Sequence, residues 1–227
     1  MKDDLAFFSP GYIFDVMHHL FSCKQHDYAS RFILSSCEQW LSAELCGLIN
    51  DKYHEESIGR FFCYNEDAKR DITFYVCDEH DEPEIKGHAE VKLIYPLHAS
   101  KRKASINNLI NKIVKCNHSE YPVEGWFFLV WNSYYEGNYT SNDFFSIVES
   151  EIQGAVSEEH EKTNSASYAI PQMVDFCDSK IKWRGRNISI KVKAIQVTFF
   201  STNFSRYKND EIESMLLIGR DRHGNEI

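Results

Sequence analysis

Arg70-Asp71-Ile72-Thr73-Phe74-Tyr75-Val76 and Gly87-His88-Ala89-Glu90-Val91-Lys92-Leu93-Ile94-Tyr95-Pro96 decide how this chain reads. Both segments are rich in β-branched and aromatic residues and are bounded by turn formers, which is the composition of strands. The polar stretch between them, Cys77-Asp78-Glu79-His80-Asp81-Glu82-Pro83, suits a hairpin connection. Side chains along a strand alternate between faces, so Glu90 and Lys92 share one face and Val91 takes the other. If the strands pair, Asp71 converges with Glu90 and Lys92 at one edge of the sheet. Two carboxylates and an amine on a rigid hairpin suit a hard, oxygen-liganded cation and a water that it activates.

The totals bound what surrounds this hairpin. At 227 residues the chain is long enough to bury a real core as one domain. An apolar fraction of 43% with 14% aromatics belongs to a folded protein rather than a disordered one. The net charge of −9 counts against a simple nucleic-acid binder, because the overall field repels phosphate. No apolar run approaches the roughly 18 residues that a membrane-crossing helix needs. Met1-Lys2-Asp3-Asp4 lacks the basic and apolar regions of a secretory signal. The 7 cysteines are an odd number without a Cys-x-x-Cys pair, which reads as reduced thiols in a cytoplasm.

Ser9-Pro10 is a helix start, and Tyr12, Ile13, Val16, Met17, Leu20 and Phe21 recur after it at helical spacing. His18, His19 and Cys23-x-x-His26 in this region lack the further ligands that a zinc site requires. Ser35-Ser36-Cys37-Glu38 fits a capping box, followed by the stripe Trp40, Leu41, Leu45, Leu48 and Ile49. Glu44 lies on the edge of that stripe. It either reaches water or a lysine at the margin or points at the edge where Asp71 and Glu90 meet, since a core-facing carboxylate needs a partner.

Strands are expected over 58–64, 69–76 and 85–95, then a helix carrying Ile106, Leu109, Ile110, Ile113 and Val114 after Lys101-Arg102-Lys103. Gly125-Trp126-Phe127-Phe128-Leu129-Val130-Trp131 is too apolar for a half-exposed strand and reads as a buried central one. A further helix covers 143–153, and the polar run 154–169 reads as a mobile loop. The fold class is therefore α/β (α+β), a central mixed sheet flanked by helices. One domain spans residues 1–227, with a helical segment over 1–34, a core over 35–131 and a β-rich basic extension over 170–227.

That extension inverts the charge balance. Lys180, Lys182, Arg184, Arg186, Lys191, Lys193, Arg206 and Lys208 occur with no acid among them, whereas 51–90 is strongly acidic. Ile188, Ile190, Val192 and Ala194 alternate with Asn187, Ser189, Lys191 and Lys193, an amphipathic strand with one cationic face. A charged face is usually just solvated. In a chain this acidic, such a concentration of cations also suits the tracking of phosphates.

Asp71 followed by Glu90-x-Lys92 resembles the PD-(D/E)xK nuclease superfamily, with its restriction-endonuclease-like core. The triplet alone is weak, since Asp67-Ala68-Lys69, Glu84-Ile85-Lys86 and Asp178-Ser179-Lys180 also fit. Only Glu90-Val91-Lys92 is embedded mid-strand with an upstream Asp-bearing strand, a capped acidic helix before it and a basic helix after it. Arg70 stands where the motif would have proline, and the helical Gln-x-x-x-Tyr signature of one exonuclease branch is absent after the core.

The resemblance implies a DNA endonuclease: Mg²⁺, with Mn²⁺ as substitute, held by Asp71, Glu90, the Val91 carbonyl and Glu44. In this superfamily the helix before the core strands often supplies one further acidic ligand. Lys92 would orient or help deprotonate the water. Lys101, Arg102, Lys103, Lys182, Arg184, Arg186, Lys191 and Lys193 would contact the nucleic acid. The partner expected is DNA, with no membrane, and a homodimer or larger complex stays open. The competing class is a non-catalytic immunity or inhibitor protein, or a nucleoprotein-assembly subunit, on the same scaffold.

Overall fold

A computed structural model of the chain describes residues 10–33, 37–55, 61–66, 70–77, 80–116, 123–134, 139–163 and 168–200. The expected caps at Ser9 and Ser35, the strand start at 58–60, the Asp67-Ala68-Lys69 triplet, and Arg206 and Lys208 lie outside the described residues.

Helices α1 (Pro10–Cys23) and α2 (Gln25–Ala29) lead through a short 3-10 turn to α3 (Glu38–Glu55). Strands β1 (Phe61–Asn65), β2 (Ile72–Cys77) and β3 (Pro83–Ile94) follow, then α4 (Ala99–Cys116) and β4 (Val123–Asn132). The chain continues through α5 (Ser141–Thr163) into a long hairpin of β5 (Tyr168–Trp183) and β6 (Arg186–Phe200). All the strands join one sheet in the order β1-β2-β3-β4-β6-β5. Among the described strands only β3 and β4 run parallel. A parallel neighbour needs a crossover, and α4 is that crossover. The architecture is a mixed sheet with helices on both faces, as the alternation of apolar periods predicts. The basic extension is part of this sheet, because β6 pairs with β4 along the whole of that strand's central run.

Two apolar clusters sandwich the sheet. Phe74, Val91, Trp126, Phe128 and Val192 pack with Met17, Phe21, Leu41 and Leu45 from α1 and α3. Phe127, Leu129, Ile195 and Val197 pack on the other face with Ile106, Ile110, Phe144 and Val148 from α4 and α5. Strand β4 is buried at every position because helices cover both its faces.

One expectation fails here. Residues 154–163 are not a loop: α5 continues to Thr163. The apolar stripe Phe144, Phe145, Val148, Ile152 runs on into Ala155 and Val156, which are buried, and Lys162 pairs with Glu158 and Glu159 one turn back. Polar composition hid a stripe that only two small apolar residues extend.

Glu124, at the start of β4, is buried and accepts hydrogen bonds from Trp126 Nε1 (2.9 Å) and Gln196 Nε2 (2.8 Å). Burial pushes its carboxyl up to about 8, against those two bonds, which favour the ionised form. Unfolded, the group ionises near the ordinary glutamate value of about 4.3. Between these values the folded chain keeps a proton that the unfolded chain has lost. Its contribution is therefore fully present below pH of about 4 and is lost as pH rises through about 8. Glu124→Gln should melt like the wild type near pH 4 and be more stable at pH 8, by on the order of 5 kcal/mol. A stability difference that does not change with pH would contradict a proton on Glu124.

Candidate active site

The register of β2 on β3 sets the site. Ile72 lies opposite Ala89 and Thr73 opposite His88, so Asp71, immediately before β2, meets Glu90 on the next rung. Asp71 Oδ2 accepts the Val91 backbone N–H at 2.7 Å. Burial raises the Asp71 carboxyl pKa above its usual range; the Val91 bond opposes that, and the neighbouring Glu90 charge adds to it. At the other end of the pairing Val76 lies opposite Glu84, which keeps Glu84 near the turn and away from Asp71. A bulge between Phe74 and Tyr75 leaves Lys86 without an opposing residue. Alternation does not count cleanly through a bulge, so the even spacing of Glu84 and Glu90 no longer assigns them one face. Lys86 is paired instead with Glu84 at 2.6 Å.

Glu90 is 2% exposed, and a buried carboxylate is costly unless paired. Arg70 Nη1 reaches its Oε1 at 2.9 Å, and Lys112 Nζ reaches its Oε2 at 2.5 Å. Arg70, where the motif would have proline, thus holds one oxygen, and α4 supplies the cation for the other. On β4, Gly125 lies opposite Glu90 and faces the side chains of α4. A Cβ there would come within 2.3 Å of Ile113 Cδ1, the neighbour of Lys112 on α4. Lys92 follows on the face of Glu90 and donates to Glu38 Oε1 at 2.9 Å. Glu38 Oε2 accepts the Leu93 N–H at 3.1 Å, tying the start of α3 to the end of β3.

The acidic residue that α3 brings to β3 is therefore Glu38, not Glu44. Glu44 accepts the hydroxyl of Tyr28, one side of the helix away. The capping-box reading concealed this. The Leu41 N–H bonds the Cys37 carbonyl, so Cys37 is the cap and Glu38 opens the helix with its side chain free to reach β3. Lys112 was also missed: it sits between Leu109 and Ile113 at the rim of an apolar stripe, where a lysine normally reaches solvent. His88 completes the surroundings, buried on the same strand face as Glu90, with Nδ1 3.1 Å from Thr73 Oγ1.

The expected nucleic-acid contacts divide. Lys101 and Lys103 are exposed in the first turns of α4. Arg102 is not available: it is 6% exposed and makes a two-pronged pair with Glu151 of α5, at 2.7 Å for each bond. Helical spacing explains the correction, since 102, 106, 109, 110 and 113 fall on one inward face. Removing one member of such a pair leaves the other poorly solvated. Arg102→Ala should cost about 2 kcal/mol of stability and leave the salt dependence of nucleic-acid binding unchanged; a shallower slope would return Arg102 to the binding surface. Lys191 and Lys193 lie opposite Asp178 and Asp175 and pair with them at 3.6 and 3.2 Å. The absence of acids within 180–208 was real, but the antiparallel partner strand supplies them.

Three carboxylates, Glu38, Asp71 and Glu90, and three cations, Arg70, Lys92 and Lys112, make this a charge-balanced cluster. All its acidic donors are oxygens, which in kind fits a hard divalent cation. Among the described residues no three His, Cys, Asp or Glu side chains stand close enough together to hold a metal. A cation would therefore have to displace Arg70 or Lys112 from Glu90. No helix among the described residues is long and apolar enough to cross a membrane. Compared with known families and curated proteins, the chain matches no family and is similar to no curated protein.

Proposed function

We propose that the chain is a metal-dependent phosphodiesterase, an endonuclease acting on DNA. The observation that carries this reading is the meeting of Asp71 with Glu90 across β2 and β3, with Lys92 next on the same face and Glu38 delivered by the preceding helix. The element order α3, β1, β2, β3, α4, β4 is also the order on which the resemblance to the PD-(D/E)xK superfamily rests.

Asp71, Glu90 and the Val91 carbonyl would hold Mg²⁺ or Mn²⁺. When bound, that ion supplies a water of lowered pKa and positive charge beside the phosphate. Lys92, held by Glu38 at the mouth of the cluster and 34% exposed in its side chain, is placed to donate to a phosphate oxygen or orient the attacking water. Burial of Glu90 keeps water from screening its charge, so whatever cation faces it is held strongly. The net charge of −9 repels DNA, and a bound divalent ion reverses the field locally.

One observation favours a second reading. Both oxygens of Glu90 are taken by cations of the chain itself, which suits a non-catalytic protein on the same scaffold, an inhibitor of a basic partner among them. Cleavage of supercoiled plasmid, linear duplex and single-stranded DNA, with and without Mg²⁺ or Mn²⁺, separates the two. Metal-dependent cleavage supports the first reading. No cleavage of any substrate supports the second.

A further inference from the structure

The hairpin of β5 and β6 extends beyond the sheet that holds the site. Strand β4 ends at Asn132, opposite Ile190, while β5 and β6 continue pairing through Lys180↔Ser189 and Lys182↔Asn187 to Trp183↔Arg186. The turn at Arg184-Gly185 has φ of 46° and 78°, the two positive values of the tight hairpin turn that suits twisted strands. Lys180, Lys182, Arg184 and Arg186 are exposed there, and none makes an ion pair with another described residue. They differ in this from Lys191 and Lys193, which Asp178 and Asp175 neutralise. The hairpin's other face is anchored, because Ile188 and Ile190 belong to the α1–α3 side of the core and Ile181 and Trp183 pack against it. The tip is thus four cations on a rigid arm in a chain of net charge −9.

Register places this arm relative to the site. Lys92 lies opposite Phe127, and Phe127 opposite Ile195. The nine residues from Ile195 to Arg186 cover at most about 30 Å of strand, and a helical turn of duplex covers about 34 Å. By alternation from the core residues Val91 and Ile188, Lys180 and Lys182 lie on the sheet face of Glu90 and Lys92, against which α4 and α5 pack, and the tip projects past the end of β4. Duplex DNA is stiff over lengths far greater than one turn. A fixed separation of this size favours a stiff duplex, whereas a flexible single strand gains nothing from it.

We infer that the β5–β6 tip is a second phosphate contact for duplex DNA, about one helical turn from Lys92 and on one side of it only. This rests on the proposed function for its substrate but not for its test. The test measures binding of a 40-base-pair mixed-sequence duplex with Ca²⁺ in place of Mg²⁺, for the full chain and for the variant Lys180→Gln, Lys182→Gln, Arg184→Gln, Arg186→Gln. All four positions are exposed, so the variant should melt with the wild type. The slope of log affinity against log salt should become shallower by about 4, and the protected stretch should shorten by about one turn at one end. An unchanged slope and footprint overturn the inference, even if the protein cleaves DNA. A tip-dependent footprint with no cleavage in Mg²⁺ supports the inference and removes the nuclease reading. A wild type that does not bind the duplex overturns both.

Discussion

Glu90→Ala is expected to lower Mg²⁺-dependent DNA cleavage by about 1,000-fold or more, equivalent to about 4 kcal/mol of lost transition-state stabilisation. Glu84→Ala combined with Lys86→Ala should leave cleavage within about twofold. The two triplets look alike in the sequence, and the register separates them. Glu84 lies opposite Val76 beside the turn, and Glu90 comes to Asp71. Glu90→Gln, which keeps the size and a hydrogen-bond acceptor for Arg70, guards against mere misfolding. Cleavage kinetics on plasmid, with melting temperature as the control, check both. Full activity in Glu90→Gln, or its loss in the Glu84 and Lys86 variant, would move the site to the bulge.

The second large effect belongs to Glu38. Its carboxylate holds the Lys92 amine and the Leu93 N–H together, so in the proposed nuclease it would orient the lysine rather than touch the reacting atoms. Partners of this kind are typically worth about 10- to 100-fold. Glu38→Ala should lower cleavage by that factor, since Lys92 loses the carboxylate that holds its amine in place. Glu38→Asp should recover part of the loss. Glu44→Gln should leave the rate unchanged, because Glu44 serves Tyr28. An equal loss from Glu44→Gln would restore the original helix-face expectation.

The strands and crossover were legible because their periods are strong. The run 125–131 is buried throughout as its composition demands, and Ile188 to Ala194 alternates between core and surface as its pattern demands. The Asp71–Glu90 meeting followed from a hairpin joining two adjacent strands. What was illegible depended on partners distant in sequence. Arg102 looks like one of three equivalent surface bases until Glu151, 49 residues on, is placed beside it. Asp175 and Asp178 precede the basic run, so only antiparallel pairing reveals that they neutralise part of it. Glu38 and Glu44 both sit on α3, and a helix-face argument fixes direction only loosely. The choice between them turned on where the helix begins.

The cation pairs on Glu90 sharpen the remaining question, since any metal must compete with Arg70 and Lys112 for that carboxylate. Calorimetric titration of Mn²⁺ into the metal-free chain addresses this without reference to a substrate. The account predicts saturable binding by the wild type, loss of it in Asp71→Asn, and tighter binding in Arg70→Gln, where one competing cation is gone. No saturable binding in the wild type or in Arg70→Gln would contradict a metal site at Asp71 and Glu90.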